Sequence, residues 1–390
     1  MMKKESSIYR IVANPLAMFF LLLVLAEFSY KVLQREFHLD FKVSAGLKIL
    51  LQGFFAVQIA RTDYRKLWPI AALLGIFFLG QFGMVSTERL QQNLWFFDKY
   101  IFVILALVYV TTLKKVWEYY PLFSSVFKWF LIVNSICILV GVIFSINIFG
   151  TYKDVGLRFG YDGLILRPGA ATYIYWIALF YAAREFIHKK SKHILFFLLV
   201  LVASFCIGTK AMLIAYFFLA MYLFIAIGWH KKWLGIFSAV VTISLGIFLS
   251  YYLIDWMVLN SPSLQKVMQE RGLFSVLVSL RDAYLMEEMI PLIKDQWTWR
   301  NYLFGGGFDM HFRSQFGLLD LFYFFGMIGM SLYLWVFYKL FVPFKKRLGT
   351  IIFLTGTFVM MAFSANFFYE TILGIYLVFA KLYLEKIEMA

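Results

Sequence analysis

The chain has 390 residues, 37 Lys and Arg against 22 Asp and Glu, and a formal net charge of +15. Its apolar fraction of 62% and charged fraction of 15% stand against about 45–50% and about 25% in a soluble domain. That much apolar surface does not fit inside one water-facing core, and the composition excludes disordered, collagen-like and coiled-coil chains. The basic residues are scattered rather than gathered in one stripe, so no nucleic-acid partner is expected.

Lys3, Lys4 and Arg10 precede an apolar run over 15–33 with no small-x-small cleavage site after it, which predicts an uncleaved first span. A bilayer-crossing helix needs about 20 mostly apolar residues. Further spans are predicted near 43–60, 68–86, 94–113, 122–149, 169–187, 194–208, 211–228, 234–254, 318–341, 349–364 and 370–385, twelve in all. The pair beside Gly208-Thr209-Lys210 and the pair beside Asn366 also fit broken or re-entrant hairpins. Long unbroken apolar runs exclude the alternation of a β-barrel. The expected fold class is all-α, a polytopic membrane protein with residues 1–390 as a single integral membrane domain.

Inside the first span Glu27 sits four residues before Lys31, which predicts a helix-surface ion pair. Lys48 in the second span is expected to snorkel. Otherwise the span interiors read as nearly free of charge, which counts against an ion-coupled transporter. Cys137 and Cys206 lie in apolar runs and read as packing residues.

Lys and Arg bias sets orientation. With the N-terminus in the cytoplasm, about 20 basic residues fall in about 64 cytoplasmic positions and about 14 in about 114 outer ones. Both termini are then cytoplasmic. Two outer loops are long, 150–168 and 255–317. In the second, apolar residues at helical spacing (Leu273, Leu277, Leu280, Tyr284, Ile290) predict an amphipathic helix over Leu264–Ile293 lying on the outer membrane surface.

Arg158, Arg167, Lys210, Arg281, Arg300 and Arg313 all belong to this outer side, where basic residues are normally sparse. Two explanations stand: an anionic ligand such as a lipid-linked pyrophosphate, or solvated loop charges and headgroup anchors. The run Gly305-Gly306-Gly307 reads as a turn where backbone can approach a ligand. There is no P-loop, no H-E-x-x-H, no paired cysteine and no Asp-x-Asp, so neither a metal nor any other cofactor is expected. His311, two residues after Asp309, has a suitable intrinsic pKa for a general base.

At these residues the chain resembles the bacterial O-antigen polymerases, the Wzy-type polymerases of surface polysaccharide, and more distantly the O-antigen ligases. The resemblance lies in Arg158 through Gly169 with Arg-x10-Gly spacing, in Gly208-Thr209-Lys210-Ala211, and in Arg281 before LFGGG. It continues in LLDLFYFFGMIG, where Asp320 lies six positions before the Gly326-x-x-Gly329 pair. It spans about 150–330, with the many-span, long-outer-loop layout extending it. The likeness implies a metal-independent, inverting glycosyltransferase of the multi-span type in the bacterial inner membrane, with residues 255–317 as its long periplasmic loop. Its substrates would be undecaprenyl-pyrophosphate-linked glycans, and a chain-length regulator, a flippase and membrane lipids would be its partners. On this reading Arg158, Arg167, Lys210, Arg281 and Arg300 hold pyrophosphate, and Asp309, His311 and Asp320 are the candidates for proton transfer. A ligase and a lipid-linked-sugar flippase remain the alternatives.

Overall fold

The structure, a computed structural model, describes residues 11, 13–82, 87–152, 159–189, 193–233, 237, 248, 252, 258–259, 262–306, 313–342, 347–363 and 367–389. Among them the regular elements are helical, with one isolated antiparallel bridge between Gly150 and Tyr161. The first half holds α1 Pro15–Arg35, α2 Val43–Asp63, α3 Trp68–Gln81, α4 Thr87–Thr112 and α5 Val116–Phe144. Then come α6 Pro168–Lys189, α7 Ile194–Phe205 and α8 Ala211–Ala226. Next come α9 Pro262–Val278, α10 Ile290–Gln296 and α11 Trp299–Phe304, and the described chain finishes with α12 Gly317–Phe341, α13 Leu348–Phe363 and α14 Leu373–Met389. Local chemistry sets the first boundary. Asn14 Oδ1 accepts the Ala17 amide at 3.1 Å, and Pro15 occupies the first helical turn.

Five described segments are long and apolar enough to cross a membrane: Pro15–Arg35, Val43–Gln81, Arg89–Thr112, Val116–Phe144 and Gly317–Phe341. Three shorter apolar helices, α7, α8 and α13, accompany them. By this measure the chain is a helical membrane protein. The expected span over 234–254 lies almost wholly outside the described residues.

A helix that is apolar all round belongs in an interior. Here α6 is buried continuously from Ala170 to Ala183, the α14 segment from Phe367 to Leu384, and α4 from Tyr100 to Val110. Of these, α14 packs against both α4 and α6. Aromatic edges and faces fill the seams. Phe20 meets Phe123, Phe127, Phe130 and Tyr376 edge-on at 5.2–5.9 Å or in near-edge tilts, and Trp176 stacks on Phe353 at 5.3 Å. The polar tips are satisfied within the same seams. Trp176 Nε1 donates to Thr357 Oγ1 at 2.9 Å, and Tyr333 OH donates to the Tyr100 carbonyl at 2.8 Å.

The amphipathic helix expected over Leu264–Ile293 is not continuous. Gly272 has φ 80° and ψ −179°, and Ser279 and Leu280 both have positive φ. A turn at Arg281–Ala283, a π-helical stretch at Tyr284–Met289 and then α10 follow. Polar contacts from outside the helix explain the stop: Lys210 Nζ takes the Val276 carbonyl and lies 3.2 Å from Ser279 Oγ, while Ser275 Oγ donates to Asp282. Leu273, Phe274, Leu277, Tyr284 and Met286 remain exposed along this segment.

Within the glycine run, Gly305 and Gly306 make close backbone contacts, and Gly307 lies outside the described residues. Gly305 has φ 76°, and a Cβ there would lie 2.3 Å from the Phe324 carbonyl oxygen. Gly326, φ 65°, breaks α12 at that contact, and the Gly306 amide donates to Phe324 O at 3.2 Å. Asn301 Nδ2 ties the carbonyls of Gly80 and Gly305 together at 3.3 and 2.9 Å. Gly305 and Gly306 thus seat α11 against α3 and the kink of α12, backbone on backbone. Gly305→Ala is expected to cost at least about 2 kcal/mol, from strain at positive φ plus overlap with backbone. Gly46→Ala, in open space on α2, should be neutral or slightly stabilising. Thermal unfolding midpoints of the detergent-solubilised variants measure both.

Candidate functional site

One side chain organises the end of the bundle where α1 finishes and α6 begins. Lys31, fully buried, donates to Asp162 Oδ1 at 2.5 Å, to the Gly163 carbonyl at 2.7 Å and to the Ile165 carbonyl at 2.8 Å. An ammonium has three donors, and all three are used. From the other side Asn134 Oδ1 accepts the Leu164 amide at 2.6 Å, and the Phe149 carbonyl accepts the amides of Asp162 and Gly163. Burial pushes the Asp162 carboxyl up to about 6 in spite of the neighbouring Lys31. The loop over 159–167 is therefore fixed, and it delivers Arg167 to the start of α6.

Arg167 faces a cleft of about 140 Å³, room for on the order of ten waters. Its walls come from α1 (Glu27, Tyr30), the start of α2 (Lys42, Ser44, Lys48), α4 (Trp95, Asp98, Lys99) and the segment before α14 (Tyr369, Glu370, Thr371). Arg167 Nη1 lies 3.4 and 3.5 Å from the two carboxylate oxygens of Glu370, and this partner raises the guanidinium pKa. Lys99 Nζ donates to Tyr369 OH at 2.5 Å and sits 4.2 Å from the centre of that ring and 5.0 Å from Phe96. Among the described residues no carboxylate pairs with Lys99. Its charge is held by aromatic faces instead. Arg313 lies 4.4 Å from the same Tyr369 ring. Behind Arg167 the lining turns apolar, with Val24, Phe130, Ile174 and Ile372 around a small void. Charges set against such a wall interact more strongly than in water.

The pair expected between Glu27 and Lys31 does not form. Lys31 turns inward to the loop, and Glu27 accepts from Ser44 Oγ at 2.6 Å and from Lys48 Nζ on the neighbouring helix. Lys48 accordingly points into the cleft rather than snorkelling. Tertiary partners win because a buried charge needs a full set of hydrogen bonds, which an exposed neighbour one turn away does not supply.

Of the residues expected to hold pyrophosphate, Arg167 alone lines the cleft among those described. Lys210 secures the end of α9, as above. Arg281 Nη1 donates to the Phe363 carbonyl at 2.6 Å, fastening the segment after α9 to the end of α13, and burial lowers its pKa. Arg300 lies over Trp299 on α11. Asp320 is buried and accepts from Ser314 Oγ at 2.8 Å and the Gln315 amide at 3.0 Å, with Arg313 at 3.8 Å, so it folds the chain into the first turn of α12. Arg158, Asp309 and His311 lie outside the described residues. Among the described residues no group of three or more His, Cys, Asp or Glu side chains is placed to hold a metal ion.

Sequence reasoning passed over Lys99, Asp98, Tyr369 and Glu370. The signal was there for two of them: Asp98 and Lys99 lie a few positions inside the predicted span 94–113, where charge is unexpected in lipid, and Glu370 stands at the first position of the span 370–385.

Lys31→Met leaves the Asp162 carboxylate buried without its cation, and the expected destabilisation is about 3–5 kcal/mol. Asp162→Asn, which keeps an acceptor for Lys31, should cost less. Hydrogen exchange over 159–167 together with thermal midpoints distinguishes them: Lys31→Met should free the loop amides, and unchanged protection there would refute the clamp. No protein-family model, curated protein or solved structure matches this chain, so the chemistry of the cleft is what points to a function.

Proposed function

We propose that the chain is a membrane glycosyltransferase that polymerises undecaprenyl-pyrophosphate-linked repeat units into a surface polysaccharide. It would work at the outer face of a bacterial inner membrane, as a twelve-span protein with both termini in the cytoplasm. The observation that carries this reading is the cleft itself. Arg167 and Lys99 line one cleft, Lys99 against the rings of Phe96 and Tyr369, near the end of α1 and the start of α6.

In glycosyl transfer from such a donor, the pyrophosphate gains negative charge as the glycosidic bond breaks. Preorganised cations in a partly dry site stabilise that charge where it develops. Arg167 supplies a planar fork for phosphate oxygens, and Lys99 a compact charge against aromatic rings, with no carboxylate paired to it among the described residues. Trp95, 39% exposed in the cleft wall, gives a sugar ring a face to lie on. Arg158 belongs to the same loop as Arg167, and Asp309 and His311, in the second long loop, belong to the same reading. The resemblance in Arg158–Gly169 and the Lys and Arg bias of the loops support the outer location.

A second reading has an observation of its own. Glu27, Lys48, Asp98 and Lys99 put charge inside helices that the sequence presents as almost uncharged, which a lipid-linked-sugar flippase would use. Deletion in the host with gel analysis of the polysaccharide separates the cases. Loss of a polymerase leaves one repeat unit attached, loss of a ligase leaves none, and loss of a flippase accumulates units on the cytoplasmic side. In the complemented strain Arg167→Ala and Lys99→Met should each lower polymer formation roughly 10²–10³-fold at equal membrane expression. Arg167→Lys should restore only part of it. A full ladder from both alanine and methionine variants would remove the cleft from the reaction.

A further inference from the structure

Resting on the polymerase reading, we propose that Glu370 is the group that takes the proton from the acceptor hydroxyl, and that pyrophosphate binding at Arg167 releases it to do so. The four carboxylates in or beside the cleft are held in different ways. Glu27 is committed to Ser44 and Lys48, and Asp320 to Ser314, Gln315 and Arg313. Asp98 lies across the cleft beside Lys99. Among the described residues the Glu370 carboxylate hydrogen-bonds to one guanidinium nitrogen, through both of its oxygens, at 3.4 and 3.5 Å. A charge-assisted contact at full strength would be about 2.7–2.9 Å. The pair is loose.

The two partners also differ in access. The Arg167 side chain is 46% exposed and that of Glu370 only 6%. Nε and Nη2 of Arg167 have no hydrogen-bond partner among the described residues, so the outer edge of the fork is open to a dianionic phosphate. A pyrophosphate meeting that edge competes for the guanidinium charge and leaves the Glu370 carboxylate with less of it. A carboxylate relieved of its counter-charge beside an apolar wall is a better proton acceptor.

The step balances without any further reagent. The acceptor hydroxyl oxygen attacks the anomeric carbon of the donor glycan and forms the new glycosidic bond. The bond from that carbon to the pyrophosphate oxygen breaks, and its electron pair leaves with the pyrophosphate, held by Arg167 and Lys99. The hydroxyl proton passes to Glu370 and from there to water. Glu370 then pairs with Arg167 again as the pyrophosphate departs, which helps to expel the product.

Two readouts on Glu370→Gln test this, with the full chain in lipid nanodiscs and undecaprenyl pyrophosphate as the binding probe. Glutamine keeps the shape of the side chain but neither accepts the proton nor neutralises Arg167. Binding of the probe, followed by native mass spectrometry, should be unchanged or several-fold tighter. Polymer formation in the complemented deletion strain should fall roughly 10²–10⁴-fold. Arg167→Ala should lose both. A Glu370→Gln variant that polymerises normally would overturn the assignment. So would one that loses probe binding along with polymer, since that is the behaviour of a merely structural residue. Loss of polymer in Asp98→Asn with Glu370→Gln active would move the base across the cleft. Failure of the polymerase reading is visible separately, in the wild type: no binding of the probe and an unchanged ladder on deletion.

Discussion

The arrangement depends on one buried ammonium. Lys31 sits on an apolar helix with no exposed surface, a position that costs several kcal/mol unless every donor is satisfied. Its three partners lie on a single loop more than 130 residues away in sequence. That demand converts a surface loop into a rigid ledge. The loop ends at Pro168, whose ring suits the first turn of a helix, and Arg167 is the last residue before it. Satisfying Lys31 therefore also sets where the guanidinium of Arg167 stands.

The second wall is fixed from the opposite direction. The stretch from Phe367 to Leu384 is buried along its whole length and packs against α4, α5 and α6, with Phe379 against Phe127 of α5 and Tyr181 of α6. Such close-packed interiors resist small shifts. Tyr369 and Glu370 enter the cleft at the head of this segment, and the Leu373 amide turns back to the Glu370 carbonyl at 2.9 Å. Neither wall has to move to bring Arg167, Glu370 and Lys99 together. The cleft is a by-product of two cores that were already determined.

This division explains what was legible in the sequence. Apolar runs announce helices because lipid leaves the backbone no other way to satisfy its polar groups, and α1, α4, α5 and α12 lie close to where hydropathy puts them. Arg167 was legible as a cation beside a span. What the sequence hides is pairing at long range. Glu27 and Lys31 obey the spacing rule for a helix-surface pair, yet each finds a stronger partner on another element. Asp320 reads as a candidate for proton transfer, and in the structure it accepts hydrogen bonds at the start of α12. Gly305 reads as part of a turn where backbone can approach a ligand, and it also lets backbone meet backbone at Phe324 and Gly326. Spacing reports local geometry, and these roles are decided by residues far along the chain.

The same logic bears on why charge survives inside apolar helices here. Four cations (Lys42, Lys48, Lys99, Arg167) and three carboxylates (Glu27, Asp98, Glu370) line the cleft. An uncompensated excess of one sign would be expelled from such a place or neutralised. Near balance is tolerable, and it leaves the aromatic-held Lys99 as the least compensated group. A site of this kind has no strong field to advertise at a distance. Under the proposed function it would discriminate at contact, where a ligand carrying two negative charges would offer Arg167 and Lys99 more than Glu370 and the tyrosine ring do. On that proposal, selectivity for a doubly charged headgroup over a singly charged phospholipid would come from competition inside the cleft rather than from long-range attraction.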